Sequence, residues 1–176
     1  VMLASGEHCN GVRQNLENAF MAGTPMNPDF SSLPKFEGIM RTRQVECAQA
    51  LYGAMGIKRD DRIGRMNASK RNYELFDAPH VLFIGMNRDF SPSIAVDVGM
   101  YAQTLMLLMH AHGLASCAQA SVAYYPDIIR EFFDEPVSTG ILFGISFGYE
   151  DKTKEVNTAR TVRANLDEVL NQKGVK

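Results

Sequence analysis

From Val98 to Met109 the chain carries no charged residue, and its apolar side chains face all directions around a helix. A helix with no polar face needs cover all round, so this segment predicts a long helix buried on every side. Asp97 stands where an N-cap belongs and Gly113 where a left-handed C-terminal cap belongs. Such a helix demands other layers, and two short apolar runs are suited to supply them. Val81–Ile84, just after Pro79, and Ile141–Ile145 have the length and composition of buried strands.

Helical spacing accounts for much of the remainder. Val12, Leu16 and Ala19/Phe20 recur on one face, with Gly23 as a stop. Ile39, Ala48, Leu51, Tyr52 and Met55, ended by Gly56, predict a second helix. Ile63, Met66, Tyr73 and Phe76 mark a third, whose many Arg and Lys form a solvated face. Pro126 opens a helix through Ile129, Phe132 and Phe133, and Leu166, Val169 and Leu170 form a short last one. The Pro-rich stretch from Thr24 to Pro34 reads as a surface loop. Val1–Ala4 runs into Ser5-Gly6-Glu7 as a strand runs into a turn, a beginning in mid-structure. Helices outnumber strands without strict alternation. The predicted class is therefore α+β: a central mixed or antiparallel sheet covered by helices, in a single domain over residues 1–176.

Composition narrows the function classes. With 45% hydrophobic and 22% charged residues among 176, the chain can bury a sizeable core. Eighteen Lys plus Arg against 20 Asp plus Glu, a formal charge of -2, leave no electrostatic footprint for nucleic acid. No apolar run approaches the roughly 20 residues that cross a bilayer, so no membrane partner is expected. Cys9, Cys47 and Cys117 are odd in number and without CxxC spacing, which suits a reducing cytoplasm.

Several motifs carry less chemistry than they first suggest. Gly144-Ile145-Ser146-Phe147-Gly148 matches the GxSxG pattern of serine hydrolases after a predicted strand. A nucleophile elbow must pass into a helix, however, and a polar loop follows here, with no His beyond His112. His110 and His112, two apart on a helix, point apart and cannot grip one ion, so no metal site is expected. Cys117 reads as a packed thiol. Glycine-rich phosphate loops are absent, which leaves arginines as candidate phosphate ligands. Arg160 and Arg163, three apart, would share a face if their segment were helical; by pattern alone they read as solvated surface.

Two segments together resemble the FMN-dependent nitroreductase family. One runs from Asp97 to Leu107 and on through Gly113–Gln119 to Tyr125-Pro126; the other is Gly144–Asp151 followed by Asn157, Arg160, Arg163 and Leu166-Asp167-Glu168. Asn72 with Phe76-Asp77-Ala78-Pro79 is similar to the family's approach to its central strand. The resemblance implies a homodimer with FMN at the subunit interface. It implies that Gln119, Ala120 and Ser121, in the loop after the long helix, lie beside the flavin ring and offer a backbone N–H to N5. It further implies that Arg163, and with it Arg160, holds the phosphate. The family's first-helix Arg-Ser-x-Arg-like motif and its Pro-Ser-x-x-Asn-x-Gln-Pro-like segment do not occur, so the chain resembles a fragment or an N-terminally shortened relative.

The implied function is an oxidoreductase in which FMN takes a hydride from NADH or NADPH and then reduces a nitroaromatic or quinone bound in its place. No side chain is expected to act as acid or base, because the flavin carries the redox chemistry. An alternative stays open: a dimerisation or weakly flavin-binding domain that keeps the fold without turnover.

Overall fold

In the computed structural model, residues 1–30 and 35–174 are described. They divide into two compact units, one of residues 1–30 with 62–150 and the other of residues 35–61 with 151–174.

The first unit is built on a sheet of β1 (Met2–Ser5), β2 (His80–Asn87), β3 (Ala115–Gln119) and β4 (Thr139–Gly148), in the order β1-β2-β4-β3. Every neighbouring pair is antiparallel. The expected strands are therefore present, and of the two sheet types anticipated the antiparallel one is found. Register explains the two-sided core. Val81 lies opposite Ser146 and Phe83 opposite Gly144, while Leu82 faces Ile145 between them. Side chains alternate along a strand, so these two sets must point to opposite faces.

On one face Val81 and Phe83 join Met2, Ala4, Cys9, Val12, Leu16, Val122 and Ile129 in a closed core. Cover comes from α1 (Glu7–Met21) and α5 (Pro126–Phe133), whose inward residues Cys9, Val12, Leu16, Ala19 and Ile129 are buried. Gly23, with φ +67°, ends α1 as its position requires, and Pro126 stands in the first turn of α5. Of the Thr24 to Pro34 loop, residues 24–30 are irregular and 31–34 lie outside the described residues. α3 (Arg62–Tyr73) buries Tyr73 alone; Ile63 and Met66 are exposed, a departure from the single-face expectation. Phe76 lies beyond the helix, in a 3₁₀ turn (Leu75–Asp77) of three left-handed residues with φ of 52°, 53° and 61°. Wholly buried Leu75 and the Arg71–Asp77 ion pair at 2.6 Å hold this turn against a backbone cost of about 1–2 kcal/mol per residue.

The other face belongs to α4 (Ile94–Ala111), which contributes Ala102 and Met109 to a cluster with Leu82, Ile84 and Ile145. Burial on every side is not what the chain shows. Val96, Met100, Tyr101, Leu107 and Leu108 are exposed, because only one face of α4 meets the sheet. The helix also begins earlier than expected: Ser93 precedes its first residue and Asp97 sits in the first turn, while Gly113 takes the predicted left-handed conformation with φ +77°. At 18 residues α4 is long and apolar enough by length and composition to cross a membrane, which corrects the reading that no segment approaches that size.

In the second unit α2 (Gly38–Ala54) lies beside a 3₁₀ turn (Glu155–Thr158) and α6 (Leu166–Val169), with Arg43 and Glu168 paired at 3.2 Å. α2 ends at Gly56 as expected, yet it buries no residue, and Ile39 and Leu51 are exposed.

Candidate functional site

The loop expected after the long helix, at Gln119, Ala120 and Ser121, is preceded by a strand and is itself a strand end and a turn. β3 runs to Gln119, and Ala120 and Ser121 begin a 3₁₀ turn (Ala120–Tyr124). Short, small-residue β3 lacks the apolar run that marks a buried strand, which is why composition hides it. What it does is deliver Gln119 into the interior, at 2% exposure, while Ala120 is exposed and Ser121 half-buried.

Both ends of the Gln119 amide are occupied. Nε2 donates to the backbone oxygen of Asn72 at 2.7 Å, and Oε1 accepts the hydroxyl of Ser146. Asn72 lies in the last turn of α3, where carbonyls lack a partner within the helix, so Gln119 satisfies one of them from another element. Next to it Tyr73 stacks on Phe20 at 4.6 Å between ring centres and tilts against Tyr125 at 5.4 Å. Burial, aided by the nearby Tyr125 and Tyr124, pushes the Tyr73 phenol up to about 12.

The GxSxG residues sit inside β4, not at a strand-to-helix elbow, and each has a packing role. A Cβ on Gly144 would come 2.8 Å from Val122 Cγ2, and one on Gly148 would come 2.7 Å from Pro79 Cδ. The two glycines thus let the 3₁₀ turn and the approach to β2 close onto the strand, and Ser146 between them faces Gln119. Sequence reasoning set Ser146 aside with the hydrolase pattern, and no local signal marks its bond to Gln119, which depends on the pairing of β3 with β4.

Cys117, expected to be packed, is exposed on edge strand β3; buried Cys9 is the thiol that packs. His110 lies in the last turn of α4 and His112 caps it, both exposed.

On the second unit Arg160 and Arg163 are exposed, and the backbone between them is irregular, so they do not share a helical face. Arg160 Nη1 donates to the backbone oxygens of Asn157 and Ala159 at 2.7 and 2.9 Å, and Arg163 Nη1 to Thr161 Oγ1 at 2.6 Å. Neither pairs with a carboxylate among the described residues. Two guanidinium groups without an acid partner are chemically suited to an anionic oxygen ligand such as a phosphate.

An antiparallel sheet with α4 on one face and α1, α3 and α5 on the other, carrying a small-residue edge strand that ends in a tight turn, defines an α+β fold. The chain belongs to the nitroreductase family, whose sequence profile matches residues 32–149. It is 40% identical over 133 residues to the nitroreductase NfnB of Mycolicibacterium smegmatis, a match covering 76% of this chain and 56% of that protein. It is 33% identical over 123 residues to a 4-nitrobenzoate reductase of Pseudomonas putida, covering 70% of this chain and 54% of that one. The chain thus spans about half the length of the curated relatives it matches. The crystal structure of the FMN-dependent nitroreductase NfnB from Mycobacterium smegmatis in complex with NADPH superposes with a TM-score of 0.93 at 34% identity, over 98% of this chain and 77% of that one.

Proposed function

We propose that the protein is an FMN-dependent NAD(P)H oxidoreductase that reduces nitroaromatic compounds, and quinones by the same route, with the two substrates taking turns at one site. The observation that carries this reading is the superposition on an FMN-dependent nitroreductase over nearly the whole chain, at a TM-score of 0.93. NADPH is the favoured donor by analogy with that complex, and nitroaromatic acids are favoured acceptors by analogy with the 4-nitrobenzoate reductases. The family match, over residues 32–149, takes in residues of both units and supports the reading of a single domain. The free thiols fit a cytoplasmic setting.

FMN, when bound, would supply hydride-transfer chemistry between the nicotinamide and the acceptor. The chain's residues bind and orient. Ala120 and Ser121 offer backbone N–H groups to the ring, on a turn that Val122 and Gln119 anchor from within. Gln119 contributes through its backbone, since its amide is committed to Asn72 and Ser146. Arg163 and Arg160 would hold the phosphate, exchanging contacts to the neutral oxygens of Thr161, Asn157 and Ala159 for charge-assisted bonds.

A homodimer completes the proposal. The outward face of α4 presents Val96, Met100, Tyr101, Leu107 and Leu108. A stripe of this kind, along a helix otherwise charge-free from Val98 to Met109, matches the self-complementary surface that a two-fold dimer buries.

The test is direct. With FMN added, the protein should bind the flavin and oxidise NADPH only when 4-nitrobenzoate or a quinone is also supplied. Absence of both flavin uptake and acceptor-dependent NADPH oxidation overturns the reading and favours the dimerisation domain without turnover.

A further inference from the structure

The orientation of the buried Gln119 amide is dictated by its neighbours. The backbone oxygen of Asn72 can only accept, so the Gln119 atom at 2.7 Å from it must be the Nε2 donor. Oε1 therefore faces β4, and the Ser146 hydroxyl must be the donor to it. The Ser146 hydroxyl thereby completes a side-chain link from β4 through Gln119 to the end of α3, beside the backbone pairing that already joins β3 to β4. Ser146 is 3% exposed and Gln119 2%, so no water replaces the bond without opening the sheet. The same strand presents Gly144 to Val122, so the turn that follows Gln119 is held at two successive inward positions of β4.

The geometry points to Ser146 as a positioning residue of the flavin site: through Gln119 it fixes where the backbone of Ala120 and Ser121 stands. This rests on the reading above that those two residues face the flavin. The GxSxG pattern then serves to set a backbone donor in place, and the serine acts without ever touching the reacting atoms.

Ser146→Ala removes one oxygen and leaves Gln119 Oε1 buried without a donor; Ser146→Thr keeps the hydroxyl. The full chain and both variants are titrated with FMN by fluorescence quenching, and the visible spectrum and midpoint potential of the bound flavin are recorded. Ser146→Ala should weaken FMN binding about fivefold or more and shift both spectrum and potential, with its far-ultraviolet circular dichroism unchanged. Ser146→Thr should restore the parent values. A parent chain that binds FMN beside a Ser146→Ala variant of the same affinity, spectrum and potential overturns the positioning role and leaves the flavin reading standing. A parent chain that takes up no FMN overturns both. If Ser146→Ala loses its folded baseline, Ser146→Cys, with a similar shape and a weaker donor, replaces it; a partial shift supports the role and none refutes it.

Discussion

Asp29 is the point at which the irregular stretch after α1 is bolted to the sheet. Its side chain is wholly buried, and Oδ2 accepts from Arg130 Nη1 at 2.5 Å and from the backbone N–H of Ile141 at 2.8 Å. Oδ1 lies 2.6 Å from Arg88 Nη2 but is too poorly aligned for a hydrogen bond, so that contact is an ion pair. Arg130 also donates to the Thr139 oxygen at 3.0 Å and to exposed Asp127 at 2.6 Å. Asp29→Ala leaves a guanidinium of 5% side-chain exposure with one solvent-weakened carboxylate, and strands the Ile141 N–H. Breaking a buried pair from one side costs about 3–5 kcal/mol, a large part of the roughly 5–15 kcal/mol that stabilises a domain. At about 3 °C per kcal/mol, Tm should fall by around 10 °C. Urea unfolding should show the same loss as a lowered midpoint with an unchanged slope. Arg130→Met added to Asp29→Ala should cost less than the sum of the two single changes, since replacing both charges removes the unpaired one. A loss below about 1 kcal/mol for Asp29→Ala, or strict additivity in the double variant, would refute the claim that this network is buried and coupled.

Other outcomes follow from the same geometry. The Tyr73 phenol, pushed up to about 12 by burial, is ordinarily near 10 in an unfolded chain, so the native state holds its proton more tightly. Its contribution to stability is complete below pH about 10 and lost as pH rises through about 12, and Tyr73→Phe should flatten that part of the stability profile, read by urea midpoints against pH. Arg163→Ala should weaken FMN binding about tenfold and more than Arg160→Ala, in a fluorescence titration; equal and negligible losses would return both residues to the solvated surface. Leu107→Glu with Leu108→Glu places charges on the exposed face of α4 and should convert a dimer to monomer in sedimentation at micromolar concentration while leaving the sheet intact, because neither residue contributes to the cluster beneath α4.

Local chemistry accounts for the elements that the sequence by itself determined. Val12, Leu16 and Ala19 recur at a period that only one face of a helix can bury, and α1 buries those three together with Cys9. Pro126 and Gly113 act through backbone preferences that need no tertiary partner, and both stand where those preferences put them. Val81–Ile84 and Ile141–Ile145 are apolar enough to be strands in any fold that hides them, and they became β2 and β4. The candidate residues on β3 and its turn were reached through family resemblance, because small residues carry no periodic signal.

Tertiary structure decided what local pattern leaves open. α4 is apolar all round, yet a single chain offers it one sheet face, so which residues lie beneath it depended on the register of β2 and β4 and not on its own sequence. Asp29 reads as an ordinary loop acid until Arg130, 101 positions away, and the Ile141 N–H close around it. Ser146 reads as half of a hydrolase motif until antiparallel pairing sets β3 beside β4 and brings Gln119, 27 positions away, within reach of its hydroxyl. A hydrogen bond or ion pair forms only when two directional groups arrive together, and the chain's turns and strand registers, which place them, are set by the burial of the whole core.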